Sequence, residues 1–223
     1  MDRRNFLKTG GIALLGSLAT GSAMALTTPG ALGGEGADKK AAVALAMNHF
    51  GVSEADLKKV LAAALEKGGD YLFFEHTISN SIRLMDGAVN NSYSNIDYGV
   101  GVRVLTGDQS GYAYVENITV EDMLKAARTA ARIASANKGN KPLNLTEKEL
   151  KKNYYTVASP WEEVSLKDKM PYLQKLNDRI FALDKRVHKV QASQSDTTSH
   201  IFFCNSEGVM FYDYRPMVTL GAV

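Results

Sequence analysis

From Asp70 onward the chain is written at strand spacing. Leu72, Phe74, His76, Ile78, Ile82 and Leu84 alternate with polar or aromatic residues. Asp86-Gly87 follows, a residue pair suited to a two-residue turn, so Ala88 to Asn95 is expected to fold back antiparallel. Gly99 to Leu105 reads as a third strand, with Val100, Val102 and Val104 on one face. Gly107-Asp108-Gln109-Ser110-Gly111 is a second turn, and Tyr112 to Val115 completes the meander. A meander of this kind restricts the chain to folds in which helices pack on a largely antiparallel sheet.

Helical spacing lies on either side of it. Ser53 is placed to cap a helix whose first turn carries Glu54 and Asp56, where negative charge suits the helix dipole. Leu57, Val60, Leu61, Ala64 and Leu65 form its apolar stripe, and Gly68-Gly69 ends it. Thr119, with Asp122 three residues on, resembles a capping box, and the helix it opens carries Met123, Ala127, Ala130, Ala131 and Ala134. Lys138 to Ser159 reads as a long polar connection. Ser165 to Asp184 is a third helix, with Leu166, Met170, Leu173, Leu176 and Ile180 on one side. Pro171 lies inside it, so that helix is expected to begin later or to bend there. Arg186 to Gln194, His200 to Ser206, Gly208 to Tyr214 and Met217 to Val223 read as four further strands, with Pro216 at an edge or break. The fold class is therefore α+β: largely antiparallel sheet with about three packed helices.

The first residues carry a different message. Arg3-Arg4, then Phe6-Leu7-Lys8 and a weakly apolar stretch to Ala25, look like a twin-arginine export signal. That stretch is too short and too rich in Gly, Ser and Thr to span a bilayer, and Ala23-Met24-Ala25 places cleavage after Ala25. The expected division is residues 1–25 as signal, 26–50 as tether and short N-terminal segment, and 51–223 as one domain. The expected location is periplasmic or otherwise extracytoplasmic, with no membrane span after processing. Removing the three bases and one acid of the signal leaves 23 basic and 23 acidic residues. A nucleic-acid binder shows a basic excess or stripe, so that partner class is not expected. Cys204 is the only cysteine and lies in an apolar run, which reads as a buried small hydrophobe rather than a reactive thiol.

Candidate chemistry is sparse. A hydrolytic zinc site needs about three protein ligands and an open position, with two ligands usually one helical turn apart. His49, His76, His188 and His200 are the only histidines, and none has another within five residues. All four read as structural or surface residues, so no metal-binding or catalytic residue is assigned. No strand-elbow serine motif is present, and Gly99-Val100-Gly101 lacks the third glycine of a dinucleotide loop. Those glycines read as a bulge or a place of close packing. Asp97 and Arg103 flank them. They are candidates to contact a peptide backbone or a partner domain, or to form an ordinary surface pair.

Several patterns recur together: Gly69-Asp70-Tyr71, Asp86-Gly87-Ala88-Val89, Asp97 to Leu105 and Gly111-Tyr112-Ala113. To these are added Asp184 to Val187, Val190 to Ser193, Asn205 to Gly208, Asp213 and Arg215-Pro216. With them the chain resembles the N-terminal part of the TldD/PmbA family of zinc metallopeptidases, closer to the TldD branch. The resemblance implies a tunnel-forming N-terminal part of an exported peptidase, a peptide substrate, and a homodimer or a heterodimer with a TldE-like partner. It implies zinc in the full-length parent, held by an H-E-x-x-x-H helix in a C-terminal half. No residue here matches that motif, so this chain is expected to be inactive alone and truncated after an apolar strand-like run. The alternative is a non-catalytic module that binds peptides or pairs subunits. The family's older description as a DNA gyrase modulator gains no support from the charge pattern.

Overall fold

The computed structural model describes residues 39–65, 69–134, 144–148, 157 and 159–223. The signal, its cleavage point and the tether fall outside the described residues, as does most of the connection 138–159. Four helices and six strands follow in the order α1 (Lys39–Phe50), α2 (Glu54–Leu65), β1 (Gly69–Met85), β2 (Ala88–Thr106), β3 (Gln109–Val115), α3 (Val120–Ile133), β4 (Thr146–Glu147), α4 (Leu166–Leu183), β5 (Gln191–Asn205) and β6 (Val209–Ala222). A short 3₁₀ turn, Trp161–Glu163, precedes α4. The strands form one sheet in the order β3-β2-β1-β5-β6-β4, antiparallel except for the two-residue β4, which runs parallel to β6. The expected α+β class is what the chain adopts.

Two strand boundaries differ from the sequence reading. Ala88 to Asn95 and Gly99 to Leu105 are a single strand, β2, paired with β1 along its whole length. The four C-terminal strands are two, because β5 continues through Ser195 to Ser199 and β6 through Pro216. The polar runs that looked like breaks are strand residues pairing with their neighbours. Pro216 lies on β6 past the two residues that pair with β4, where β5 is its one strand neighbour among the described residues. At Asp86-Gly87 both residues take positive φ, 51° and 81°, as a two-residue hairpin turn of this hand requires.

The helix starts follow local chemistry. Thr119 Oγ accepts from the Asp122 backbone N–H at 3.2 Å, and Ser53 does the same for Asp56. Ser165 and Asp168 form a third pair, with the Ser165 N–H donating to the carboxylate at 3.2 Å. That cap starts α4 at Leu166 and the helix runs on through Pro171, so of the two expectations, a later start or a bend, the later start is not what forms. Helix α1, in the stretch left as a short N-terminal segment, ends in a Schellman motif. Val52 N–H donates to Met47 C=O at 2.9 Å and Gly51 N–H to Asn48 C=O at 3.2 Å, with Gly51 at φ 66°.

The four described helices lie on one face of the sheet. Residues at even positions of β1 point to it. Leu72 and Phe74 meet α2 and α3 with Val100, Val102 and Val104, while Ile82 and Leu84 meet Leu173 of α4. Cys204 is buried in the first cluster, as expected. Small residues let α3 approach closely: a Cβ at Gly111 on β3 would run into the backbone carbonyl of Ala130. A backbone group cannot step aside as a side-chain tip can. Gly111→Ala should therefore cost about 1–3 kcal/mol as overpacking. A urea midpoint unchanged from that of the parent would show that α3 shifts outward freely.

Candidate functional site

The other sheet face has no helix against it among the described residues. Tyr71, Phe73, Glu75, Thr77, Ser79, Ser81 and Arg83 stand on it from β1, opposite Asn205, Phe203, Ile201, Ser199, Thr197, Ser195 and Ser193 of β5. Its middle is a ladder of hydroxyls. Thr77 Oγ1 lies 2.8 Å from Ser199 Oγ, Ser79 Oγ 3.4 Å from Thr197 Oγ1, and Ser195 Oγ donates to Ser81 Oγ at 3.0 Å. Such cross-strand pairs contribute about 0.2–1 kcal/mol each. One end of the ladder meets an aromatic group in which Phe203 stacks 5.0 Å from Phe211 and lies 5.4 Å from Tyr71.

Asp97 and Arg103 both lie on this face, on β2 opposite Thr77 and Tyr71. They do not form a pair with each other. Six residues of strand separate them by roughly 20 Å. Asp97 accepts from Asn95 Nδ2 at 3.0 Å. Arg103 donates to Ser110 Oγ at 2.9 Å and to the Tyr71 hydroxyl at 3.3 Å. Gly99 and Gly101 lie between them, and the rings of Tyr114 and Tyr112 fold across these two glycines from β3, where any Cβ would collide. The close-packing reading of the pair is therefore the one the structure shows. Tyr114 also donates to the Tyr98 carbonyl at 3.0 Å.

The helix-bearing face holds a cluster that sequence spacing did not reveal. His76 of β1 and His200 of β5 are cross-strand partners, and His49 at the end of α1 sits over both. The sequence signal was too weak to find it: three histidines far apart in the chain meet only through strand register. His188 stands apart, exposed on the approach to β5. A hydrolytic zinc site would need a set of nitrogen, sulfur or carboxylate ligands around one open position. Among the described residues no group of three or more His, Cys, Asp or Glu side chains is arranged to hold a metal ion. The residues present do not fit zinc, so no step of hydrolysis is routed through them.

Two segments match family models. Residues 72–134 match the PmbA/TldA metallopeptidase domain 1, and residues 159–223 match the PmbA/TldA metallopeptidase central domain. The chain is 29% identical over 153 residues to a metalloprotease TldD homolog from Haemophilus influenzae, covering 67% of this chain and 31% of that protein. A TldD homolog from Buchnera aphidicola subsp. Schizaphis graminum is 29% identical over 150 residues, with the same coverage of 67% and 31%. The chain thus spans about a third of the length of these relatives. Among solved structures, a Thermotoga maritima protein described as a candidate modulator of a DNA gyrase superposes with a TM-score of 0.58 at 20% identity, over 75% of this chain and 38% of that one. A similarly described Bacteroides thetaiotaomicron protein gives 0.56 at 13%, over 76% and 40%. At these identities the structural likeness shows the fold alone. Strands from both matched segments share one sheet, since β1 pairs with β5 from Tyr71 to Met85.

Proposed function

This chain belongs to the TldD/PmbA family, matching its first and central domains, and on that footing we propose that its open sheet face lines a peptide passage in an exported zinc metallopeptidase. The observation that carries this reading is the sheet face that has no helix against it among the described residues. A row of hydroxyls beside an aromatic group offers an extended peptide both hydrogen-bond partners and apolar contact, with no side-chain code that would select one sequence. Asp97 and Arg103 stand at the margin of that face as the candidate charged contacts. Zinc would be held by residues of the parent protein outside this chain, and there it would supply an activated water. The chain alone is proposed not to hydrolyse peptides.

A photo-crosslinking amino acid at Thr197, on the open face, tests the passage. It should capture added denatured casein, whereas the same group at Arg128, exposed on α3, should not. Equal capture at both sites, or none at Thr197, would count against a peptide-lining role. Cleavage of fluorescent casein by the purified chain with added zinc would overturn the second half of the proposal.

Subunit pairing is the second reading, and one feature favours it. The β2 segment Ala88 to Gly99 pairs with β1 on one side only among the described residues, and it exposes Val89, Tyr93 and Ile96. An unpaired edge with apolar side chains is a template for strand addition. A second copy or a TldE-like subunit would fit there. Sedimentation of the chain over a range of concentrations reads the first of these directly, and a monomer throughout would leave only the second.

A further inference from the structure

The histidine cluster has an arrangement that makes it sensitive to protons. His49 Nε2 lies 2.8 Å from His76 Nδ1, and its ring stacks 4.8 Å from that of His200. His200 is buried, its Nδ1 2.7 Å from the Tyr212 hydroxyl and its Nε2 2.9 Å from Glu162 Oε1. His76 and His200 lie 5.8 Å apart, Tyr98 meets the edge of His76 at 5.3 Å, and Tyr214 lies 5.2 Å from His200. Among the described residues, the carboxylate that meets the cluster is Glu162 of the 3₁₀ turn: it contacts His200 directly, and its charge is felt at His49 and His76. Glu163 acts on Tyr214 and Asp213 on Tyr212, and Asp213 is held by Arg215 at 2.6 Å on the open face.

Proton counting follows from these contacts. A nitrogen-to-nitrogen hydrogen bond needs one donor and one bare acceptor, so His49 and His76 cannot both be charged while it stands. With all rings neutral every bond can be made: Tyr212 O–H donates to His200 Nδ1, and His200 Nε2–H donates to Glu162. A proton added to the His49–His76 pair has no carboxylate bonded to it, only the more distant charge of Glu162 beyond His200.

The same pair fastens a helix. His49 is the last residue but one of α1, and Phe50 beside it is buried 5.4 Å from Phe74, 5.9 Å from Tyr98 and 6.5 Å from Phe202. Val43 and Ala46 complete the buried stripe of α1.

We propose that the cluster is an acid-sensitive latch: neutral imidazoles hold the end of α1 on the sheet, and protonation of the His49–His76 pair releases it and uncovers Phe74 and Phe202. Burial, then the neighbouring His200 and His76, hold His49 down to about 4, with Glu162 opposing. Burial and then His200 lower His76 as well, again against Glu162. A docked-state pKa below the ordinary value gives a fixed sign. The latch is at full strength above about pH 6.5, the ordinary histidine value, and weakens as pH falls from there towards 4. His49 keeps part of its ring in water, and a cation at a helix C-terminus is mildly favoured, so both trim the effect. About a tenfold loss in docking equilibrium at pH 5 is expected after that discount.

Amide hydrogen exchange of the full chain, corrected for intrinsic rates, reads this at pH 7.5 and 5.0. Protection of residues 43–50 should fall about tenfold at the lower pH, while that of α4 stays level. His49→Gln should keep most of the protection at pH 7.5 and lose most of its pH dependence, because the most strongly lowered ring is gone. Should that variant fail to dock α1 at either pH, His76→Gln is expected to show a smaller pH response than the parent. Unchanged protection of 43–50 in the parent chain between the two pH values would overturn the latch. So would an undiminished pH response in both variants.

Discussion

Lys169→Met should lower the unfolding free energy by about 3–5 kcal/mol, a large part of the 5–15 kcal/mol a domain usually has. Lys169 Nζ lies 2.7 Å from Asp196 Oδ1, with the two side chains only 5% and 2% exposed. Asn80 Nδ2 donates to the other carboxylate oxygen at 3.1 Å, and the Trp161 ring lies 5.7 Å from the ammonium. The pair ties α4 to the middle of the sheet, next to the small Ile82, Leu84 and Leu173 cluster. Removing the cation strands a buried carboxylate with one amide for company. The loss comes from that stranded charge rather than from the attraction itself. The double variant Lys169→Met, Asp196→Leu should therefore recover most of the stability. Urea unfolding followed by Trp161, the only tryptophan, measures both. A single variant that loses less than about 1 kcal/mol would show that water reaches Asp196.

What could be read from the chain, and what could not, divides along physical lines. Signals contained within a few residues were legible. The stripe Leu57, Val60, Leu61 and Ala64 is buried in α2, the Thr119–Asp122 cap starts α3, and Asp86-Gly87 makes the hairpin. Strand continuity was not legible, because alternation marks a strand only where one face is buried. From Ser195 to Ser199 the open face is polar and the covered face holds Asp196 and Thr198, so no apolar period appears. The ion pair with Lys169 replaces hydrophobic burial there. Helix α1 was hidden by a run of alanines with little contrast between its faces. The histidine cluster was hidden by distance along the chain: only the register of β1 on β5 sets His76 beside His200. Asp97 and Arg103 were rightly placed beside the glycines of β2, but strand geometry keeps them too far apart to act on each other.

Asp70→Asn should make the chain more stable at pH 8 than its parent, against the usual result of altering a buried residue. Asp70 opens β1, is 5% exposed, and has no hydrogen-bond partner for either carboxylate oxygen among the described residues. Ser206 Oγ is close but engages the backbone N–H and C=O of Asp70, each at 3.2 Å. Burial pushes the carboxyl up to about 7, and Ser206 offsets this only in part. Cys204 lies close enough for the same charge to raise its thiol further, after burial has done most of it. The sign is the reverse of a salt-bridged aspartate. The folded state holds the proton more tightly than the unfolded one, so stability is fullest below about pH 4 and is lost as pH rises towards 7. The full linkage value is ~4 kcal/mol, and about 3 kcal/mol is expected once water entry is allowed for. The neutral amide has no such loss but leaves its own polar atoms poorly met at every pH. The variant should therefore be equal to or weaker than the parent at pH 4.5 and stronger at pH 8. Taking the difference between the two proteins cancels any acid loosening of α1, which both share. Parallel stability profiles over that range would mean that Asp70 is hydrated or paired when the chain is folded.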